Sequence, residues 1–98
     1  GLFVADSGHH RVLVLNRNGA VLDTIGSGLK GLREGSFIQA AFDDPQGMAF
    51  DGDALYIADA RAHAILRADF RTRGVERVAG FQVEALNAKP PIVPRPNA

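Results

Sequence analysis

Short runs of apolar residues, separated by turn-forming residues, make up the first quarter of this chain. Residues 2–5, 12–15 and 20–25 are rich in Val, Leu and Ile, as half-buried strands usually are. The dipeptide Asn18-Gly19 lies between the second and third runs, and it is the strongest short hairpin signal that a sequence offers. The pattern therefore predicts three antiparallel strands in this part of the chain.

Four further runs of the same character lie in the second half. They cover residues 46–51, 55–58, 65–68 and 75–78, with Asp-Gly-Asp and Thr-Arg-Gly turns between them. The connection before them, residues 26–44, is about twice as long as most loops. Within it, Ser36 is a suitable N-cap for one helical turn. We expect two groups of antiparallel strands joined by a long linker.

The two groups are copies of one repeat. An apolar triplet runs into Ala-Asp at Asp6 and again at Asp59, which lie 53 positions apart. In both copies a histidine follows four residues later, at His10 and His63, two positions before a β-branched residue. A period of this length is typical of stacked units, such as propeller blades, that cannot bury their apolar faces alone.

The repeated residues resemble NHL repeats. The similarity is strongest at residues 42–51, Phe-Asp-Asp-Pro-Gln-Gly-Met-Ala-Phe-Asp, followed by Leu-Tyr-Ile-Ala-Asp at 55–59. The spacer that contains Glu34-Gly35-Ser36-Phe37 is similar to that of the NHL-repeat-containing protein 2 group and its bacterial relatives, which combine a thioredoxin-like domain with an NHL propeller. The resemblance implies an all-β segment of a β-propeller with about two blades of antiparallel strands.

The resemblance also implies boundaries along the chain. Residues 1–26 would be a partial blade without its inner strand, 27–44 the linker between blades, and 45–80 a complete blade. Residues 81–98 contain four prolines and are predicted to form an extended tail, in which only Ile92-Val93 could supply another strand. Two blades cannot close a ring, so their lateral apolar faces would be exposed unless the rest of a larger propeller or copies of the same chain cover them. Residues on these faces include Val4, Val12, Val14, Met48, Ile57 and Ile65.

Composition excludes several classes of site. The chain has 98 residues, no cysteine and a formal net charge of zero, which leaves no thiolate nucleophile, disulfide or cysteine-based zinc site. Its apolar runs are far shorter than the roughly 20 residues that cross a bilayer, so no membrane partner is expected. The spacing Gly-x-Gly-x-x-Gly at 26–31 imitates a dinucleotide loop, but no long helix is predicted after it. We expect no cofactor, and the sequence assigns no cellular compartment.

The pairs Asp6 with His10 and Asp59 with His63 are the most prominent candidate chemistry. A carboxylate and an imidazole across a tight turn are able to bind a metal ion or to share a proton. Alternatively, the aspartate accepts hydrogen bonds from turn amides while the histidine packs over the next blade. Because both copies carry the pair, a structural role in building blades is favoured. No catalytic or metal-binding residue is therefore assigned.

Two further positions belong to the repeat motif, Pro45 and Gly47. Glycine in a strand often marks a close approach of another backbone, so Gly47→Val is expected to disrupt the second blade. Four residues outside the shared motif are candidates for ligand contacts. His9 and Arg11 are specific to the first copy, and Arg61 and Arg67 lie in the basic stretch of residues 60–98.

The function that the sequence favours is a non-catalytic scaffold that binds a protein or peptide within a larger propeller protein. One alternative is a part of a metal-dependent propeller enzyme of the lyase or lactonase type, whose site would be shared among several blades. The other is an RNA-binding surface, since residues 60–98 carry seven basic side chains. Interleaved aromatic residues, which stack on bases, are sparse there, and this disfavours RNA.

Overall fold

The computed structural model describes residues 1–80. The tail predicted for residues 81–98, with its candidate strand at Ile92-Val93, lies outside the described residues. Within the described part, the chain forms two antiparallel sheets and no α-helix. The prediction of an all-β segment of a β-propeller is confirmed.

Sheet 1 has three strands in the order β1-β2-β3, as the apolar pattern predicts. The alternation of side chains places Val12 and Val14 of β2 on the face toward sheet 2. A short 3-10 turn at Ser7–His9 connects the first two strands. The strands are β1 (Leu2–Asp6), β2 (Arg11–Leu15) and β3 (Val21–Ile25).

Sheet 2 has five strands in the order β4-β8-β7-β6-β5, one more than the sequence predicts. The additional strand is the two-residue β4 in the linker, which is too short to produce a periodic pattern. The strands are β4 (Gly35–Ser36), β5 (Pro45–Phe50), β6 (Ala54–Asp59), β7 (Ala64–Asp69) and β8 (Gly74–Gly80).

The linker covers part of the outer edge of sheet 2. Gly35 pairs with Val75 of β8, and the Glu34 carboxylate accepts a hydrogen bond from the Arg77 amide at 2.7 Å. Ser36 then starts one turn, because the Ala40 amide donates to its carbonyl at 2.8 Å. These contacts occupy edge groups of β8 that would otherwise be open to pairing with another chain.

The core lies between the two sheets and includes the linker. Phe37 and Phe42 of the linker are fully buried there. Of the side chains expected on the lateral faces, Val12 and Ile57 have no exposed area, because both belong to the cluster between the sheets, whereas Val4 and Ile65 are 39% and 42% exposed. The buried cluster consists of Val12, Ile25, Phe37, Ala40, Phe42, Leu55, Ile57, Ala64, Leu66, Ala68 and Val75.

The outer face of sheet 1 differs from its repeat counterpart in burial. Leu2, Val4 and Val21 are 54%, 39% and 56% exposed. The corresponding side chains of sheet 2 are 0%, 0% and 4% exposed, because sheet 1 and the linker cover them; they are Leu55, Ile57 and Val75. The outer face of sheet 1 is therefore an exposed apolar surface in the described structure.

An arginine joins the two sheets at their outer strands. The Arg73 guanidinium donates two hydrogen bonds to the Asp23 carboxylate, at 2.7 and 2.9 Å. It also lies over the Phe37 ring, 4.6 Å from the ring centroid. We call this contact the inter-sheet clasp. The hydrogen bonds from Arg73 are the main reason that the pKa of Asp23 is lowered from its ordinary value.

The inter-sheet clasp predicts a contribution to stability that depends on pH. A lowered pKa in the folded state means that the contribution is complete above about pH 4, the ordinary pKa of Asp, and is lost as the pH falls through the lower folded-state pKa. We expect Asp23→Asn to cost about 0.5–1 kcal/mol of unfolding free energy at pH 7, since the pair is partly exposed. Urea unfolding at pH 7 and pH 3 measures this effect.

If the inter-sheet clasp acts through the Asp23 charge, the unfolding free energies of the Asp23→Asn chain and the unchanged chain should differ less at pH 3 than at pH 7. Asp53→Asn, in the exposed hairpin between β5 and β6, is the matched control. Its cost in unfolding free energy should be the same at pH 7 and at pH 3. A constant cost of Asp23→Asn at both pH values would show that the clasp does not act through the Asp23 charge.

Candidate functional site

The Asp59 carboxylate holds the start of β5 in place. It is 1% exposed at the end of β6, and its Oδ2 accepts a hydrogen bond from the Asp43 amide at 2.7 Å. Its Oδ1 accepts from the amides of Asp44 at 2.8 Å and Ala62 at 3.1 Å. Because three backbone donors converge on one carboxylate, Asp59 fixes both the following turn and the end of the linker. We call this arrangement the Asp59 clamp.

His10 connects sheet 1 to the same stretch of the linker. Its Nδ1 lies 2.6 Å from the Asp43 carbonyl oxygen, which makes the ring nitrogen the donor. The residue has a positive φ of 56° at the end of the turn between β1 and β2, a conformation that histidine adopts more readily than most residues. His10 of one sheet and Asp59 of the other thus both bind the main chain of Asp43, His10 at its carbonyl and Asp59 at its amide.

Asp6, the repeat counterpart of Asp59, has different partners. Its carboxylate accepts hydrogen bonds from His9 Nδ1 at 3.0 Å and from Arg11 Nε at 2.9 Å. These two hydrogen bonds, that from His9 first, lower the pKa of Asp6. The same motif residue therefore binds backbone amides in one copy and exposed side chains in the other.

His63 repeats the backbone of His10 but not its contact. It has a positive φ of 54°, close to that of His10. Its ring makes no hydrogen bond to any residue between Gly1 and Gly80. The shared feature of the two histidines in the described structure is thus the conformation of the turn. Neither Asp-His pair is joined by a hydrogen bond between its own side chains within residues 1–80.

The exposed candidate residues divide between two places. His9, Arg11 and Arg61 lie at the turn end, which we define as the end of the two sheets where β1 and β6 finish. Arg61 belongs there because its Nε is 4.0 Å from an Asp43 side-chain oxygen. Arg67 instead lies within β7 on the face of sheet 2 that points away from sheet 1.

Pro45 and Gly47 of the repeat motif lie on β5. Pro45 is fully buried and pairs with Asp59, so it belongs to the region that the Asp59 clamp orders. Gly47 is exposed and has no positive φ, and a Cβ there would meet only the Cβ of Ala58 at 3.8 Å. The expectation of a close backbone approach at Gly47 is therefore corrected: ordinary van der Waals contact leaves room for a side chain.

This geometry predicts that Gly47→Val leaves the 98-residue chain folded, with a change in unfolding free energy within about 1 kcal/mol. Valine favours a strand, and its side chain would point to solvent on the outer face of sheet 2. Urea unfolding followed by far-ultraviolet circular dichroism measures the change. A loss of several kcal/mol would restore the close-approach interpretation.

The sequence gives no direct sign of three contacts that organise this region. Asp43 is central to the Asp59 clamp through its main chain, Glu34 acts on the edge of β8, and Arg73 reaches Asp23 across 50 positions. Each contact is between distant positions, so periodicity does not reveal it. Within residues 1–80 no three side chains of His, Asp or Glu are grouped as metal ligands. The helical segment found in that range is too short to cross a membrane.

Comparison with known proteins places the chain among repeat proteins of greater length. No family model matches the chain. It is 41% identical over 86 residues to NHL repeat-containing protein 2 of Gallus gallus, which covers 88% of this chain and 12% of that protein. The protein of the same name in Homo sapiens is 37% identical over 83 residues, 85% of this chain and 11% of the relative.

A plant protein shows similar identity. The chain is 42% identical over 82 residues to Protein SUPPRESSOR OF QUENCHING 1, chloroplastic, of Arabidopsis thaliana, which covers 81% of this chain and 8% of that protein. The chain thus spans about a tenth of the length of these curated relatives.

Proposed function

Because this chain belongs to the NHL-repeat family, we propose that it is a non-catalytic propeller segment that presents a protein- or peptide-binding surface within a larger propeller protein. The observation that carries the proposal is the use of the shared polar residues. Asp59 and His10 are occupied by backbone contacts that set the two sheets against each other. Asp59 and His10, one residue of each shared pair, therefore serve assembly, and we assign ligand contacts to the residues that differ between the copies.

The turn end carries such residues. The side chains of His9, Arg11 and Arg61 are 71%, 38% and 64% exposed. In the other repeat copy, alanine stands at 62 and 64 in place of His9 and Arg11, and glycine stands at 8 in place of Arg61. A rigid scaffold that presents copy-specific donors at one end suits recognition of a peptide with acceptor groups.

The arginines of sheet 2 give the RNA alternative little support. Arg67 binds Asp69 and Arg73 binds Asp23, so both charges are balanced within the chain. RNA affinity depends on basic side chains that are free to neutralise phosphates. The protein or peptide ligand is therefore the function that we propose.

A selection from a random peptide library on the immobilised 98-residue chain tests this function. Selected peptides are then synthesised, and their Kd is measured by fluorescence anisotropy. We expect His9→Ala combined with Arg61→Ala to weaken binding at least about tenfold, as loss of central hydrogen-bonding contacts does. Arg71→Ala, in the hairpin between β7 and β8 at the opposite end, is the matched control and should leave the Kd unchanged.

Two outcomes contradict the proposal. The first is that no peptide binds better than to a blank surface. The second is that the double variant and the Arg71→Ala control bind the selected peptides equally well. Far-ultraviolet spectra of all variants show whether the sheets remain intact.

A further inference from the structure

Equivalent rows of side chains cross the two sheets, but the two rows have different surroundings. In sheet 1, Val14 pairs with Phe3 on one side and with Asp23 on the other. Directly opposed residues of neighbouring strands share a face, so these three side chains form one row. The corresponding row of sheet 2 is Tyr56, Arg67 and Glu76.

The row of sheet 1 faces sheet 2. The Phe3 ring packs against Phe50 and Phe70, with centroid distances of 5.1 and 6.1 Å. At the end of the row, Asp23 accepts the two hydrogen bonds of the inter-sheet clasp from Arg73. Because the two sheets pack together, Arg73 of sheet 2 lies next to Asp23, the last residue of the row in sheet 1.

The row of sheet 2 faces away from sheet 1, and within residues 1–80 no arginine donates two hydrogen bonds to the carboxylate at its last position. The Glu76 side chain is 63% exposed and forms an ion pair with Arg67, whose Nη1 lies 3.7 Å from the Glu76 carboxylate. Arg67 is shared: its Nε donates to the Tyr56 hydroxyl at 3.2 Å and its Nη1 donates to Asp69 at 3.2 Å. Glu76 is thus the less satisfied of the two carboxylates near Arg67.

A cavity of about 270 Å³ opens beside this carboxylate. Among residues 1–80 its lining includes one cation, Arg67, and two anions, Asp69 and Glu76, so this part of the chain gives the cavity one more negative than positive charge. Thr72 and two glycines leave space around the carboxylates; the full lining is Gly35, Arg67, Asp69, Thr72, Gly74, Val75 and Glu76. A guanidinium balances that charge and binds a carboxylate through two hydrogen bonds.

We propose that Glu76 and this cavity form an arginine socket, which receives an arginine from a hairpin turn of a further blade of the same repeat type that packs on the outer face of sheet 2. The socket repeats the inter-sheet clasp one blade farther along. The proposal rests on the proposed role within a larger propeller, and it adds the chemistry by which the neighbouring blade is recognised. A neighbour without the arginine would bury the Glu76 charge with only the shared Arg67 to balance it, at a cost.

The chain itself provides a probe for the socket. Gly19 corresponds to Arg73, since each residue ends the hairpin turn before the outer strand of its sheet and each has a positive φ, 87° and 57°. A Cβ at Gly19 lies in open space, so Gly19→Arg places an arginine beside the exposed apolar face of sheet 1 without a clash. A second copy of this variant presents that face and the new arginine to sheet 2 of the first copy.

The experiment measures self-association of the Gly19→Arg chain by analytical ultracentrifugation at low and high salt. We expect its self-association Kd to be about tenfold tighter than that of the unchanged chain at low salt, with a smaller gain at high salt. Adding Glu76→Gln should remove the gain. Adding Asp44→Asn instead, which removes one negative charge at the turn end, should leave the gain in place.

Either of two results would overturn the socket. One is a Gly19→Arg chain that associates no better than the unchanged chain. The other is a gain that survives Glu76→Gln. The peptide-binding experiment at the turn end uses different residues and a different readout, so failure of the socket is distinguishable from failure of the scaffold function.

Discussion

Asp59→Ala is expected to lower the free energy of unfolding of the 98-residue chain by about 3 kcal/mol, since an unsatisfied buried donor costs about 1–3 kcal/mol and water will reach part of this site. The substitution removes the acceptor of three backbone amides at once, those of Asp43, Asp44 and Ala62. It also frees the start of β5 from the end of β6, where Pro45 pairs with Asp59. Urea unfolding followed by far-ultraviolet circular dichroism measures the loss.

The repeat supplies a matched control at Asp6. This carboxylate occupies the same motif position, but its partners are the side chains of His9 and Arg11 near the surface. Asp6→Ala is therefore expected to cost much less unfolding free energy than Asp59→Ala, because exposed ion pairs contribute little to stability. If the two substitutions cost the same, the Asp59 clamp is not what distinguishes the two copies. A small effect of Asp59→Ala alone would mean that water replaces the carboxylate at little cost.

The contrast between Asp6 and Asp59 shows where inference from this sequence ends. The repeat, the strand positions and the all-β class follow from local alternation and turn residues, which act over a few positions. Two of the three partners of Asp59 lie 15 and 16 positions earlier, at the end of a linker whose path no periodic pattern describes. Identical motif residues therefore acquire different roles according to which neighbouring segment is present.

The same reasoning applies to exposure. The sequence treats Val12 and Ile57 as parts of a lateral face awaiting a neighbour, yet the neighbour of each lies within this chain. Conversely, Leu2 and Val21 look like ordinary strand residues but remain exposed in the described structure. Hydrophobic alternation identifies which side chains share a face, and only the arrangement of the sheets determines which faces are covered.

Glycines provide a second example of this limit. Gly47 belongs to the repeat motif, whereas Gly26 is only one of several glycines in a linker when the sequence is examined alone. In the structure Gly26 has a φ of 110°, and a Cβ would lie 3.0 Å from two ring atoms of Phe42. Its amide also donates to the Phe37 carbonyl at 2.7 Å. Of Gly26 and Gly47, the crowded glycine is thus Gly26, at the junction of the two sheets.

Gly26→Ala is accordingly expected to cost about 2–3 kcal/mol of unfolding free energy, the sum of an unfavourable positive φ and crowding against a buried ring. Gly19→Ala is the matched control, because Gly19 also has a positive φ, 87°, but open space around its Cβ position. It should cost only about 1 kcal/mol. If the two substitutions lower the unfolding free energy equally, crowding against Phe42 does not contribute to the cost of Gly26→Ala.

A double-mutant cycle separates the two contributions to the Gly26→Ala cost. Phe42→Leu by itself is destabilising, because Phe42 is fully buried between the sheets. If the added methyl group meets the Phe42 ring, Gly26→Ala should cost about 1 kcal/mol less in the Phe42→Leu chain than in the unchanged chain. An additive result would assign the whole cost to the backbone conformation. A positive coupling would establish that Gly26 determines how closely Phe42 approaches the first blade. Because Phe42 precedes β5, Gly26 would then also determine where the second blade starts.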